Sequence, residues 1–91
     1  MKQKYYNDLC EEFLRIKGQK ELENFLSGLF TPQELAEIPV RLQIVKMLKG
    51  GFPQHKIAEK LGVGIATVTR GSKEIQLGHF QNVKSISSWR R

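Results

Sequence analysis

The sequence is poor in the residues from which most catalytic and metal sites are built. It holds one cysteine, Cys10, one aspartate, Asp8, and two histidines, His55 and His79, in 91 residues. A single cysteine makes no intramolecular disulfide, and two histidines far apart in the chain make no metal cluster, so no metal site is expected and Cys10 is expected as a small buried apolar residue. No Ser/His/Asp or Cys/His set is recognisable, and the glutamates are scattered over polar helix faces. Gly62-Val63-Gly64 has neither the preceding strand nor the third glycine of a dinucleotide fingerprint, and no phosphate loop exists. An enzyme is therefore not expected. No apolar run approaches the roughly 20 residues that span a bilayer, and MKQKYYNDLCEEF lacks the apolar core of a signal peptide, so the expectation is a cytoplasmic protein without a membrane partner. Strand alternation, internal repeats and low-complexity tracts are also missing. The expected class is all-α.

What is present is an uneven charge. The net charge is +6, but residues 1–40 hold five Lys/Arg against seven Asp/Glu, whereas residues 41–91 hold ten against two. A polyanionic partner belongs on the second half. The length predicts one domain over 1–91, and a chain this short buries only roughly 60 to 65% of its unfolded surface.

The helical periodicity begins at once. Tyr6, Leu9, Phe13 and Ile16 recur at steps of three and four, and after the interruption at Gly18 the pattern resumes with Leu22, Phe25, Leu26 and Leu29. Two such stripes in so small a protein need a covering surface, and a second subunit would supply it. Thr31-Pro32-Gln33-Glu34 is a helix start, with Thr31 as cap, Pro32 in the first helical position and Glu34 reaching back to the cap's N–H. Leu35, Ile38, Leu42, Val45 and Leu48 keep helical register to Lys49. Pro39 removes one hydrogen bond from that run and predicts a kink or break near Ile38, without ending the helical region. Gly50-Gly51 stops it. Residues 1–49 are thus read as core and dimerisation helices.

Residues 54–73, QHKIAEKLGVGIATVTRGSK, fit two short helices meeting at a glycine turn, the helix-turn-helix, within the span 53–76. Ala58 is small where the second helix crosses, Gly62 can take the positive φ that ends the first, and Ile57, Leu61, Val63 and Val68 form the wedge between them. An ordinary hairpin of a small helical bundle fits the same pattern. In a C-terminal segment over 79–91, Phe80, Val83, Ile86 and Trp89 recur every three residues, which suits one edge of a short, weak helix. Ser85, Ser87 and Ser88 oppose it, and Arg90-Arg91 should trail in solvent.

As a DNA reader the second helix is unusual. It presents Ile65, Ala66, Thr67 and Thr69 near its N-terminus, where Arg, Asn or Gln would make bidentate base contacts. Specificity should then lean on hydroxyls, ordered water and DNA shape, while Lys56, Ser72 and Lys73, with helix N-terminal amides, hold phosphates. Gln54 is the best side chain left for a direct base contact. The alternatives stay open: core packing for Ile65, a solvated lysine for Lys56 or Lys73, and a helical scaffold whose basic half binds an acidic partner or RNA.

Gly64-Ile65-Ala66-Thr67-Val68-Thr69-Arg70-Gly71-Ser72, preceded by Leu61-Gly62-Val63, resembles the signature of the Trp repressor family, and Thr31-Pro32-Gln33-Glu34 with Arg41-Leu42-Gln43-Ile44-Val45 resembles its upstream region. The resemblance covers about residues 29–72. It implies a six-helix fold, an intertwined homodimer, and a repressor of tryptophan biosynthesis or transport genes that binds operator duplex with L-tryptophan as corepressor and needs no cofactor. It also implies a pocket in which Arg41 and Arg70 hold the indole, Arg70 also meets the ligand carboxylate, and Gly71 leaves room beside the ring. Thr31 falls where the family binds the carboxylate, and carbonyls of residues 28–30 from the other subunit would receive the ammonium. Glu74 replaces the serine that meets that ammonium, and its carboxylate either serves the cation or repels the ligand's acid group. His55 and Ala58 stand where basic side chains face DNA in the family, which places His55 at the DNA surface. A repressor-like regulator that does not use tryptophan is the alternative.

Overall fold

The computed structural model describes residues 1–86, and the expectations for Ser87, Ser88, Trp89, Arg90 and Arg91 lie outside the described residues. Five α-helices and no strand are found among them: α1 Gln3–Arg15, α2 Gln19–Leu29, α3 Pro32–Lys49, α4 Gln54–Leu61 and α5 Ile65–Gln76. The chain divides into two compact units, Met1–Leu35 and a second that begins at Ala36.

The first unit has little interior. Neither α1 nor α2 contains a buried residue. Phe13 and Phe25 meet edge to face with centroids 5.3 Å apart, a contact of about 0.5 to 1.5 kcal/mol beyond the area it covers. The stripe expected on α1 is only partly covered, with Tyr6, Leu9 and Phe13 classed as exposed. Cys10, expected to be buried, is exposed as well. The reason is that α1 has no packed side on which a small apolar residue could be enclosed. At the end of this unit the capping box forms as expected: the Thr31 N–H donates to Glu34 Oε1 at 2.9 Å, and the Glu34 N–H donates to Thr31 Oγ1 at 3.2 Å. Two helix-start donors are satisfied by one pair of side chains.

Helix α3 runs from Pro32 to Lys49 with Pro39 inside it. No break separates the residues on either side of Ile38, because a single missing N–H deletes one rung of a long ladder. Apolar residues surround much of its second half, and Ile44, Val45 and Met47 are buried. Ile44 and Met47 meet Ile57 of α4 and Val68 of α5, both with no exposed surface. Ile44, Met47, Ile57 and Val68 form the core of this unit, with Leu61 and Val63 packed on it as the wedge residues. Gly62 ends α4 at φ 68°, and the Val63 N–H returns to the Ala58 carbonyl at 3.1 Å, closing the turn before α5 starts. A side chain at Gly62 would be held in the left-handed region.

A sixth helix is not found over the described part of the C-terminal segment. After α5 the chain makes turns over residues 77–82 and is irregular over 83–86. Lys49 holds it there, its ammonium donating to the carbonyls of Phe80, of Gln81 at 3.3 Å and of Val83 at 2.6 Å. The Ile86 N–H donates to the Lys46 carbonyl at 3.1 Å, and the Ile86 side chain packs on the core. The three-residue spacing of Phe80, Val83 and Ile86 thus belongs to a turn and irregular segment tied to the end of α3.

Candidate functional site

The second unit carries a cleft of about 810 Å³ between one face of α3 and one face of α5. Helix α3 contributes Ile38, Arg41, Leu42, Ile44 and Val45, and α5 contributes Ala66, Thr67, Arg70, Gly71 and Glu74. In each set the spacing of three and four residues puts the side chains on one stripe of the helix. Phe80, from the turn after α5, completes the lining. The volume lies within the range of roughly 300 to 1,000 Å³ that holds small ligands, and an apolar lining with a few charged groups is what such sites offer.

Arg41 and Arg70 are the two cations of this cleft. Arg41 is exposed and only loosely held, with Glu37 at 3.5 Å one helical turn earlier. An exposed pair of that kind contributes little and yields readily to a ligand. Arg70 is exposed and has no ion-pair partner among the described residues. Both guanidiniums are therefore available to stack on an aromatic face or to bind a carboxylate. Glu74 differs. Its side chain is 37% exposed and its Oε1 lies 2.6 Å from His79 Nδ1, an ion pair when the imidazole is protonated and a hydrogen bond otherwise.

Gly71 has a second role that the pattern of residue types did not reveal. A Cβ at this position would come within 3.0 Å of Ile44 Cγ2 and 3.5 Å of Leu48 Cδ1. The missing side chain lets α5 lie close against α3, which sets the width of the cleft. Thr31 belongs to the first unit, and its hydroxyl is engaged with Glu34, donating to Oε1 at 3.1 Å. Sequence reasoning missed Ile38, Leu42, Ile44, Val45 and Phe80 of the lining, and His79, which holds Glu74. Ile38 was legible as a member of the Arg41 stripe, whereas Phe80 reaches the cleft, and His79 reaches Glu74, through a turn whose path depends on Lys49.

The residues expected to read DNA are distributed over α4 and α5. His55, Lys56, Ile65, Ala66, Thr67 and Lys73 are exposed, and Gln54, Thr69 and Ser72 are half-buried. Ile65 retains 50% of its surface, so core packing does not account for it. Lys56 is 3.9 Å from Glu59, both on the surface. Neither Pro53 before α4 nor Gly64 before α5 provides a side-chain cap; the Lys56 N–H donates to the Pro53 carbonyl and the Thr67 N–H to the Gly64 carbonyl, each at 3.1 Å, so the N–H groups of Gln54, His55, Ile65 and Ala66 are the ones that remain for an outside acceptor such as phosphate. Thr69 and Gln54 are joined across the two helices, the Thr69 hydroxyl donating to Gln54 Oε1 at 2.8 Å. Ala66 and Thr67 belong both to this set and to the cleft lining, so the two surfaces share the first turn of α5. Among the described residues no group of His, Cys, Asp or Glu could hold a metal ion, and no helix is long and apolar enough to cross a membrane.

Comparison with known proteins extends the match well beyond residues 29–72. The family model described as Trp repressor protein matches residues 4–87. A Trp operon repressor homolog of Vibrio vulnificus (strain YJ016) is 47% identical over 60 residues, 65% of this chain and 59% of that protein. A Trp operon repressor homolog of Vibrio campbellii is 46% identical over 74 residues, 80% of this chain and 74% of the relative. One from Aliivibrio fischeri (strain MJ11) is 36% identical over 75 residues, 78% and 69% of the two chains. The chain thus spans about 59% of the length of the Vibrio vulnificus relative. No solved structure matches.

Proposed function

Because this chain belongs to the Trp repressor family, a family of DNA-binding regulators and not of enzymes, we propose that it is a homodimeric repressor that binds operator DNA when L-tryptophan is bound. The observation that carries the proposal is the pair Arg41 and Arg70, one on each helix lining a single cleft next to the reading helix. A flat indole between two guanidiniums gains roughly 0.5 to 2 kcal/mol per stacking contact, and Arg70 can donate to the ligand carboxylate at the same time. Glu74 is the acceptor for the ammonium. Thr31 and the carbonyls of residues 28–30, contributed by the partner, close the ligand's polar end. Gly71 keeps the wall beside the ring flat.

Gln54, His55, Lys56, Ile65, Ala66, Thr67, Thr69, Ser72 and Lys73 form the DNA surface. The excess of positive charge in residues 41–91 supports that assignment. Two such surfaces in an intertwined dimer meet successive major grooves when they stand roughly 34 Å apart. The partly uncovered stripe of α1 supports a second copy as its cover. Tryptophan acts only by binding the DNA-competent arrangement more tightly than the slack one. Shared use of Ala66 and Thr67 by cleft and reading surface gives the ligand a direct route to that preference. The regulated genes are those of tryptophan synthesis or uptake, and the protein acts in the cytoplasm.

The Glu74–His79 contact favours one alternative. A carboxylate already partnered by His79 has less need of a ligand ammonium, which would suit a regulator that binds operator DNA without tryptophan. Gel shifts of genomic fragments with and without L-tryptophan separate the two. A gain of about tenfold or more on adding tryptophan supports the corepressor mechanism, and identical binding in both lanes leaves only the alternative.

A further inference from the structure

The hydrogen bond between Thr69 and Gln54 has a chemical consequence for base reading. A hydroxyl has one proton, and Thr69 gives its proton to Gln54 Oε1 at 2.8 Å across α4 and α5. That leaves the hydroxyl oxygen as an acceptor only. Phosphate oxygens are acceptors too, so Thr69 in this state has nothing to donate to the DNA backbone. The effect on Gln54 is the mirror image. A free carboxamide offers one acceptor and two donors and pairs bidentately with adenine, donating to N7 and accepting from N6. The oxygen keeps a second lone pair, but the bond turns it toward Thr69 and leaves the NH2 group as the end free to meet a base.

We propose that Thr69 is a positioning residue that holds the carboxamide oxygen of Gln54 and presents its NH2 end to the bases, so that this side chain favours guanine, whose N7 and O6 are both acceptors, over adenine. The proposal rests on the operator-binding function above and specifies its base chemistry at one position. Thr69 contributes orientation and polarity, and Gln54 makes the contact. Both residues are half-buried, so the link is shielded from competition by bulk water.

The test is selection from a randomised duplex library at fixed salt with L-tryptophan present. Wild type, Gln54→Ala, Thr69→Val and Thr69→Ser are compared. Gln54→Ala, which needs no new space, should erase a guanine preference at one position of each half-site and thereby identify that position. At the same position Thr69→Val, which frees the Gln54 oxygen, should shift the guanine-to-adenine ratio toward adenine by about tenfold. Thr69→Ser should keep the wild-type ratio. The salt dependence of affinity should be the same for Thr69→Val as for wild type, since no phosphate contact is lost. The inference is overturned if Gln54→Ala leaves every base preference intact. It is also overturned if Thr69→Val lowers affinity for all sequences alike with an unchanged guanine-to-adenine ratio, the behaviour of a brace or a phosphate contact. A wild-type protein that selects no duplex at all would instead remove the operator-binding function on which the inference stands.

Discussion

The two units of this chain spend their apolar residues differently. In Met1–Leu35 the helices α1 and α2 enclose nothing, and Tyr6, Leu9 and Phe13 keep 46%, 37% and 38% of their surface. In the unit that begins at Ala36, Ile44, Val45, Met47, Ile57 and Val68 are each 3% exposed or less. The second unit therefore has a self-made core on which a reading surface and a ligand cleft can be held to fixed geometry. The first has an amphipathic surface with no inside of its own, which is the property of an element that becomes stable when covered. The proposed site is concentrated where the core is, and the proposed dimer contact where it is absent.

The largest expected effect probes the core. Ile57→Ala should cost about 2 to 5 kcal/mol of stability in chemical denaturation, because the side chain is enclosed and its cavity cannot fill with water cheaply. A loss below about 1 kcal/mol would mean that the second unit is not organised around this residue. Phe13→Ser probes the contrasting unit. It should raise the concentration at which half the chains are dimeric by about tenfold or more in sedimentation equilibrium, since an obligate dimer ties its stability to the interface. An unchanged midpoint would remove the stripe of α1 from the interface. The smallest effect is electrostatic. Lys73→Ala should weaken binding to all duplexes alike and lower the salt slope by about 1, and a loss confined to one sequence would contradict a phosphate role.

How far the sequence revealed this arrangement depended on whether a feature is made by neighbours in the chain. The Thr31/Glu34 capping box and the Gly62 turn are local, and both are found with their expected partners. The pairing of Arg41 with Arg70 came from a family resemblance, and their shared lining of one cleft was not readable from spacing alone. Three features were opaque for physical reasons. Pro39 leaves α3 unbroken, because the surrounding helix outweighs one missing bond. Cys10 is exposed, since residue type does not say whether a helix has a packed side. The segment after α5 follows carbonyls gathered by Lys49, more than 30 residues earlier in the chain, so its apolar spacing suggested a helix that its described residues do not form. Phe80 reaches the cleft, and His79 its contact with Glu74, by that same long-range path.

The most direct test of the central claim is calorimetric titration of L-tryptophan into the folded dimer, wild type beside Arg70→Ala. The account predicts saturable binding of one tryptophan per chain to the wild type. It also predicts a loss of affinity of at least about tenfold in Arg70→Ala, with an unchanged circular-dichroism spectrum, as expected for the removal of one desolvated guanidinium contact to a ring and a carboxylate. No heat of binding from folded, dimeric wild type, or equal affinity in the two proteins, would contradict it.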